Sequence, residues 1–352
     1  MTQDQPGPSL DWDAIFTGRI LPGQGVRRGG LEQPHFVLVC GQPGSGKSTL
    51  IDPLCESLGP DQTQRISGDT LRDDLPEVYA NPDDPVAREL ADIYVRNIQQ
   101  TYVDALMDHA MALRAHVVWE RPMPAQTLVL AAAARALGYR VECRILAVPL
   151  LESWLATLQR ETQPVPDQIP RRIPWTRQQD SYARWPACLA RAEDTLAFDA
   201  LSVIGRDGQV YFENHLIHDD GPPRWANPAF GFESLMVERL QARSPARIDR
   251  LLSDWQALPA DVLATASAQD WSGHAALGAA LQALRDDPSA AFDLNTPGAS
   301  PSPDAALAWV ARLRADLAAV LTNPEAEGLK TLAPRSERLL ALVAQIAGQP
   351  TR

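Results

Sequence analysis

The sequence predicts an α/β fold, with a doubly wound and mostly parallel sheet and an all-α region appended after it. Short apolar runs alternate with helical segments from residue 35 to about residue 204. Such alternation is typical of βαβ units, whose helices cover both faces of a parallel sheet. A glycine-rich segment follows the first apolar run. Beyond about residue 244 only helical spacing remains, so that part is predicted to lack strands.

The elements follow one another in a regular order. The first strand is predicted over His35–Cys40, where a continuous apolar run indicates burial on both faces. Further strands are predicted over residues 64–67, 116–119 and 141–148, and helices over 48–58, 85–114, 125–137, 150–160 and 177–195. Strands over 200–204 and 209–212 flank Asp207-Gly208, a dipeptide that favours a hairpin turn.

Composition changes divide the chain into three predicted parts. Residues 1–34 are rich in Pro and Gly and are predicted to form a flexible arm, with a short helix near residues 12–16. Residues 35–244 form the α/β domain. Residues 245–352 form an α-helical C-terminal domain, which a Ser/Pro-rich linker at 296–303 divides.

Bulk properties limit the class of protein. The chain has 352 residues and a formal net charge of −12, which argues against a nucleic-acid partner because phosphate backbones require a basic surface. Its apolar stretches are too short to span a membrane, and residues 1–10 lack the pattern of a secretory signal. The four cysteines are scattered without CxxC pairing, which is typical of a reducing compartment. These observations predict a cytoplasmic enzyme without a structural metal site.

The glycine-rich segment from Gly41 to Ser48 fits the pattern GxxxxGK[ST] in full. Its glycines let backbone amides turn towards phosphates, and the N-terminus of the following helix favours anions. Lys47 can reach the β- and γ-phosphates of ATP, and the Ser48 hydroxyl can ligate Mg²⁺. The predicted nucleotide-binding residues are Gly41, Gln42, Pro43, Gly44, Ser45, Gly46, Lys47, Ser48 and Thr49.

Three acidic residues are candidates for chemistry near this loop. Asp69 follows the second strand, where it can accept the proton of an attacking hydroxyl, help to hold Mg²⁺, or cap a helix. Glu120 ends the third strand, where it can act as a metal-side carboxylate, bind acceptor hydroxyls, or start a helix. Asp104 lies on the polar side of the long helix over 85–114, which by itself indicates a solvated face.

Arginines surround the proline-rich loop over 162–175. They are Arg160, Arg171, Arg172 and Arg177. Phosphoryl transfer spreads negative charge over the γ-phosphate oxygens, and guanidinium groups stabilise it. One or two of these arginines are therefore predicted to close over the nucleotide, although surface solubility explains any single one equally well.

Over residues 34–216 the chain resembles the zeta toxins, the kinase component of the epsilon/zeta toxin–antitoxin systems. The resemblance rests on the run from Gln42 to Lys47, on Asp69 followed by Thr, and on Asp104 sixteen residues before Glu120. It rests also on the Ala-Val-Pro segment at 147–149, on Arg171 three residues before a proline, and on the hairpin at 207–208.

The resemblance implies ATP- and Mg²⁺-dependent phosphorylation of the 3′-hydroxyl of the aminosugar in UDP-N-acetylglucosamine, and an antitoxin protein as partner. It implies Asp69 as the base that deprotonates the acceptor, Arg160 and Arg171 as phosphate contacts, and Asp104 with Glu120 as substrate-binding carboxylates. The chain departs from the family after Glu120, where Arg121 is followed by two prolines within three residues. Arg121 is a candidate substitute contact for the substrate, and Asp104 replaces the longer glutamate usual in the family.

Two alternatives to this acceptor remain open from the sequence. A P-loop kinase could use another small-molecule acceptor, or the P-loop could serve a nucleotide-sensing switch that binds a protein through the helical tail. The tail itself is interpreted either as a packing extension or as an inhibitory, oligomerisation or targeting module.

Overall fold

The computed structural model of the chain describes residues 11–68, 70–72, 74–79, 85–121, 127–162, 173, 175–219, 221–240, 243–259 and 273–287. Of the candidate site residues named above, Asp69, Arg171 and Arg172 lie outside these ranges, as does the linker predicted at 296–303.

The sheet has seven strands in the order β2-β3-β1-β4-β5-β6-β7. The strands are β1 His35–Cys40, β2 Thr63–Ile66, β3 His116–Arg121, β4 Arg140–Leu146, β5 Ala200–Ile204, β6 Val210–Ile217 and β7 Arg224–Trp225. The first five pair in parallel, whereas β5–β6 and β6–β7 are antiparallel. The predicted doubly wound, mostly parallel sheet is confirmed.

The central strand β1 is covered on both faces. Phe36 and Leu38 belong to the larger core cluster, whereas Val37 and Val39 pack with Ile51 on the other side. Because successive side chains of a strand point to opposite faces, a strand between two helical layers is apolar at every position. This explains why the run over β1 does not alternate with polar residues.

The helices predicted over 48–58, 85–114, 125–137, 150–160 and 177–195 lie close to those positions, whereas helices over 21–24 and 231–240 were not predicted. The helices are α1 Trp12–Ile15, α2 Leu21–Gln24, α3 Lys47–Leu58, α4 Pro85–Leu113, α5 Thr127–Ala136, α6 Leu150–Thr162, α7 Trp175–Asp194, α8 Gly231–Leu240, α9 Pro245–Gln256 and α10 Gly273–Asp286. A π-helical stretch over Phe16–Ile20 joins α1 to α2, and 3₁₀ turns cover Pro60–Gln62, Thr70–Arg72 and Pro76–Tyr79. None of the helices within the described ranges has both the length and the apolar character that a membrane span requires.

Strand β6 is the element that the sequence prediction placed least well. It continues to Ile217, five residues beyond the end predicted at 212. Its exposed Glu213 and His215 alternate with buried positions. An antiparallel strand near the sheet edge needs only one apolar face. The continuous apolar runs that mark the parallel strands are therefore absent from its second half.

The N-terminal segment lies against the α/β core. The Gln24 side chain accepts hydrogen bonds from the Tyr102 hydroxyl at 2.5 Å and the Thr70 hydroxyl at 3.2 Å. The Val26 amide donates to the Gln64 side-chain oxygen at 2.9 Å. The helix predicted near residues 12–16 is present as α1, and the domain limits at residues 34 and 244 stay predictions.

Helices α9 and α10 pack against α6. Their apolar contacts form one cluster, which consists of Leu151, Trp154, Leu155, Leu158, Ile248, Leu251, Leu252, Leu258, Leu277, Leu281 and Leu284. Glu152 of α6 adds a polar connection, since it accepts hydrogen bonds from Arg243 at 3.1 Å and Arg247 at 2.6 Å. The start of the predicted C-terminal domain is therefore in direct contact with the α/β domain.

A half-buried carboxylate at the start of β4, Glu142, makes the stability of the protein depend on pH. Glu142 is 12% exposed and lies 3.1 Å from His35 Nδ1, 3.2 Å from Arg140 Nε and 3.3 Å from Arg144 Nη2. Burial alone raises its pKa, but hydrogen bonds and charges from His35 and Arg144 outweigh burial and lower the pKa to about 2. This carboxylate contributes stability that is fully present above its ordinary value of 4.5 and is lost as pH falls towards 2.

We expect Glu142→Gln to lower the free energy of unfolding at pH 7 by about 1–3 kcal/mol, because three donors lose a charged acceptor. Urea denaturation at pH 7 and at pH 2.5 measures the effect, with the exposed Glu213→Gln as matched control. The difference in the free energy of unfolding between Glu142→Gln and the parent protein should be smaller at pH 2.5 than at pH 7. An equal difference in the free energy of unfolding at both pH values would contradict the lowered pKa of Glu142.

Candidate active site

The loop between β1 and α3 has the backbone of a phosphate cradle. Gly41, Gly44 and Gly46 have φ angles of 152°, 70° and 94°. Gly44 also presses against α6: a Cβ there would lie 2.0 Å from the Ser153 carbonyl oxygen and 2.5 Å from Thr157 Oγ1. Only glycine satisfies both the left-handed backbone and this close approach.

The lysine of the loop is held by the loop itself. Lys47 is 5% exposed, and its ammonium group donates to the carbonyl oxygens of Gly41 at 3.1 Å and Gln42 at 3.0 Å. The same Nζ lies 3.7 Å from Glu120 Oε1. A buried cation is thus placed at the floor of the loop, next to one strand-end carboxylate.

The donor set fits a nucleotide phosphate with magnesium. Ser45 Oγ is buried and finds no hydrogen-bond partner among the described residues, so a polar atom of the cradle is open to a ligand oxygen. Ser48 and Thr49 are exposed in the first turn of α3, where the helix dipole favours anions. Hydroxyl and carboxylate oxygens, such as those of Ser48 and Glu120, are the ligands that Mg²⁺ prefers.

Glu120 lies where neighbouring strands end. Strand β3 is paired with β1 on one side and β2 on the other, so their carboxyl ends share one edge of the sheet. Ser67, directly after β2, donates its hydroxyl to Glu120 Oε2 at 3.1 Å. The structure therefore brings Glu120 together with Lys47.

Arg121 lies on the other face of the same strand. Its guanidinium stacks on the Trp119 ring at 4.1 Å from the ring centroid, and Trp119 packs edge-on against Phe36 in the larger core cluster. Burial lowers the pKa of Arg121, while the nearby Cys40 and Cys188 raise it. Because side chains alternate along a strand, Arg121 and Glu120 point away from each other.

Of the other two acidic candidates, the structure describes only Asp104. Asp104 is exposed on α4 and accepts a hydrogen bond from Gln100 at 2.7 Å. Asp69 itself lies outside the described residues. Its neighbour Thr70 is tied to α4, because its hydroxyl lies 2.7 Å from the Tyr102 hydroxyl.

Among the arginines, Arg160 is exposed in the last turn of α6. It comes three residues after Thr157, which borders Gly44, so both lie on the same side of the helix. Arg171 and Arg172 lie outside the described residues, and Arg177 lies in the first turn of α7.

Arg206 is a cation at the loop that the sequence prediction missed. It is exposed in the hairpin after β5, and its Cγ would lie 3.4 Å from a Cβ on Gly46. Its guanidinium donates to the Glu152 carbonyl oxygen at 3.4 Å. The sequence contained a signal for Arg206, because a residue that follows β5 lies at the same edge of the sheet as the residues that follow β1 and β4.

More than half of the chain matches a known protein family. The sequence model of the zeta toxin family matches residues 25–216 of the chain. The chain belongs to the zeta toxin family. This family has a P-loop, kinase-like fold, which agrees with the phosphotransferase predicted from the sequence. None of the curated proteins matches the sequence.

One solved structure has a fold similar to that of this chain. A chain from the PezAT chromosomal toxin–antitoxin system of Streptococcus pneumoniae aligns with a TM-score of 0.54 and 18% identity, covering 74% of this chain and 99% of that one. Two chains of the AvrRxo1-ORF1:-ORF2 complex, native and with ATP, align with TM-scores of 0.41 and 0.40 at 15% identity. They cover 75% and 81% of this chain and 80% and 85% of their own.

This member of the zeta toxin family extends beyond the matched residues at both ends. Helices α1 and α2 precede residue 25, and α8, α9 and α10 follow residue 216. One of these helices contacts the P-loop directly, since Arg239 of α8 donates to the Gln42 side chain at 2.9 Å. The sequence prediction missed this contact.

Proposed function

We propose that this chain is an ATP-dependent kinase that transfers the γ-phosphate to a hydroxyl group of a small molecule. The observation that carries the proposal is the position of Lys47, held inside a complete phosphate-binding loop at 3.7 Å from the strand-end carboxylate of Glu120. A lysine in this position can follow the γ-phosphate during transfer, and a carboxylate beside it can hold the metal side of the nucleotide.

In this proposal the loop amides and Lys47 bind the β- and γ-phosphates, and Ser45 Oγ supplies a further donor. Ser48, with Glu120 nearby, would hold Mg²⁺, which neutralises phosphate charge when bound. Arg206 would contact the nucleotide from the hairpin side of the loop. Each of these groups is a cation or a hydrogen-bond donor, except Glu120, whose carboxylate would help to bind the metal ion.

Asp69 would accept the proton of the attacking hydroxyl. Arg160 and Arg171 would stabilise the charge that develops on the transferred phosphoryl group. The exposed position of Arg160 on the same side of α6 as Thr157 supports this role, because that side borders the loop. Asp69 and Arg171 keep their roles from the family resemblance.

The proposed acceptor is the 3′-hydroxyl of the aminosugar in UDP-N-acetylglucosamine or a related nucleotide sugar. Asp104 and Glu120 are proposed to orient it, whereas Arg121, the third contact predicted from the sequence, points to the other face of β3. The placement of Arg121 against Trp119, on the face of β3 opposite Glu120, supports a changed acceptor site. The second candidate is therefore a different small-molecule acceptor for the same phosphate transfer.

An antitoxin protein is the proposed partner. The solved chain from S. pneumoniae belongs to a toxin–antitoxin system, and the family resemblance implies the same arrangement here. We place the reaction in the cytoplasm, where ATP and nucleotide sugars are made.

The test is transfer of label from γ-labelled ATP in the presence of Mg²⁺, with UDP-N-acetylglucosamine as acceptor. We expect a labelled nucleotide sugar from the parent protein and none from Lys47→Ala. ATP binding without a labelled nucleotide sugar would exclude this acceptor. The alternative acceptor would then be sought by the same transfer assay with a metabolite extract. Failure to bind ATP would sink the kinase proposal altogether.

A further inference from the structure

A buried arginine stands behind the phosphate loop. Arg239 on α8 is 1% exposed. Its Nη1 donates to the Tyr182 carbonyl oxygen at 2.8 Å, and its guanidinium stacks on the Tyr182 ring at 4.2 Å from the centroid. Its Nη2 donates to Gln42 Oε1 at 2.9 Å. One face of the guanidinium is thus used for packing and its edge for two carbonyl-type acceptors.

Burying the Arg239 guanidinium costs folding free energy if the residue serves only to stabilise the fold. Within the part of the chain that the structure describes, no carboxylate lies within salt-bridge distance of Arg239, and its Nε finds no hydrogen-bond partner. Burial lowers its pKa to about 10, although nearby Tyr182 raises it, so the group stays protonated at neutral pH. An apolar side chain of similar length would avoid the desolvation of a buried charge.

Gln42, whose side chain Arg239 contacts, makes several other hydrogen bonds at the P-loop. Gln42 Nε2 donates to the Val148 carbonyl oxygen at 2.8 Å and to Ser153 Oγ at 3.1 Å, while its backbone carbonyl accepts from Lys47 Nζ at 3.0 Å. Gln178 of α7 supports the next residue, because its Nε2 donates to the Pro43 carbonyl oxygen at 2.9 Å. The amide group of Gln42 therefore links the loop to the residues that follow β4.

Helix α8 is positioned to hold this contact. The Glu193 carboxylate of α7 accepts hydrogen bonds from the amides of Gly231 at 2.7 Å and Phe232 at 3.1 Å, at the N-terminal end of α8. Arg239 lies near the other end of the same helix. Both ends of α8 are thereby tied to α7 or to the loop, and α8 lies outside the residues that the family model matches.

We propose that Arg239 is a positioning residue for nucleotide binding, which orients the Gln42 side chain and through it the phosphate loop. The inference rests on the proposed function, since it concerns the ATP affinity of the same loop. It assigns to α8 a part in the nucleotide site. Arg239 acts through Gln42, so its contribution should vanish once the Gln42 amide is absent.

A double-mutant cycle tests this coupling. The Kd for ATP is measured by calorimetry for the parent protein, Arg239→Met, Gln42→Met and the double variant, well below their melting temperatures. We expect each single variant to raise Kd about tenfold, in the range for a hydrogen bond to a charged group. The double variant should differ from Gln42→Met by less than about twofold, because non-additivity marks residues that act as one unit.

Leu235→Ala is the matched control. Leu235 is fully buried one turn earlier on α8 and belongs to the larger core cluster. We expect it to lower the melting temperature while leaving the ATP Kd within about twofold, because destabilisation by itself does not move the loop. A second cycle with Arg239→Lys in place of Arg239→Met retains the charge and keeps the test decisive if the methionine variant does not fold.

The outcomes separate this inference from the proposed function. If the parent protein binds ATP and Lys47→Ala does not, the nucleotide site is established. An ATP Kd for Arg239→Met or Arg239→Lys equal to that of the parent would then overturn the inference alone. Additive effects of the two substitutions would also overturn it, because they would show that Arg239 does not act through Gln42.

Discussion

Asp69→Ala is expected to lower the rate of phosphate transfer by roughly 10²–10⁴-fold, the range for loss of a general base. The ATP Kd should stay within about twofold, because in the proposed site the loop amides and Lys47 bind the phosphates. Single-turnover transfer from γ-labelled ATP gives the rate, and calorimetry gives the affinity. Transfer at close to the parent rate would show that Asp69 is not the base.

Asp61→Ala is the matched control for this experiment. Asp61 is exposed and lies just before β2, whereas Asp69 comes just after it. Only the carboxyl ends of parallel strands line the ligand crevice. Removing the carboxylate at the amino end should therefore leave the transfer rate unchanged, and an equal loss in both variants would indicate a general effect of charge on the protein.

Gly44→Ala is the second substitution with a large expected effect. The left-handed backbone at φ 70° costs an alanine about 1–2 kcal/mol, and forcing a methyl group against the α6 backbone costs about 1–3 kcal/mol more. If the loop moves away from α6 to relieve the contact, its amides leave the phosphate positions. We expect the ATP Kd to rise more than about tenfold, a loss of at least 1.4 kcal/mol in binding.

Gly208→Ala separates backbone strain from the steric contact. Gly208 has a similar φ of 82°, but nothing lies within 4 Å of the Cβ it lacks. Urea denaturation should show a loss of about 1–2 kcal/mol for this variant, with ATP affinity unchanged. If Gly44→Ala were no more harmful than Gly208→Ala, the packing of the loop against α6 would have no part in nucleotide binding.

The sequence by itself determined the features that depend on neighbouring residues. The continuous apolar run over β1 and the glycine pattern from Gly41 to Ser48 are local, and they were sufficient for the sheet class, the phosphate loop and the family. Helices α3 to α7 were predicted to within two residues at each end for the same reason, whereas α8, which also lies in the predicted α/β domain, was not predicted. Periodicity reports which face of an element is buried, and that information is contained in each segment.

Only the tertiary structure decided which distant side chains meet at the loop. Arg239 contacts Gln42 across 197 residues of sequence, and Arg206 reaches Gly46 from a hairpin that was predicted only as a turn. Arg121 and Glu120 are adjacent in the chain, yet strand pleating turns one towards Trp119 and the other towards Lys47. A sequence pattern predicts that a residue is buried or exposed, but its partner depends on how the elements pack, which no single segment specifies.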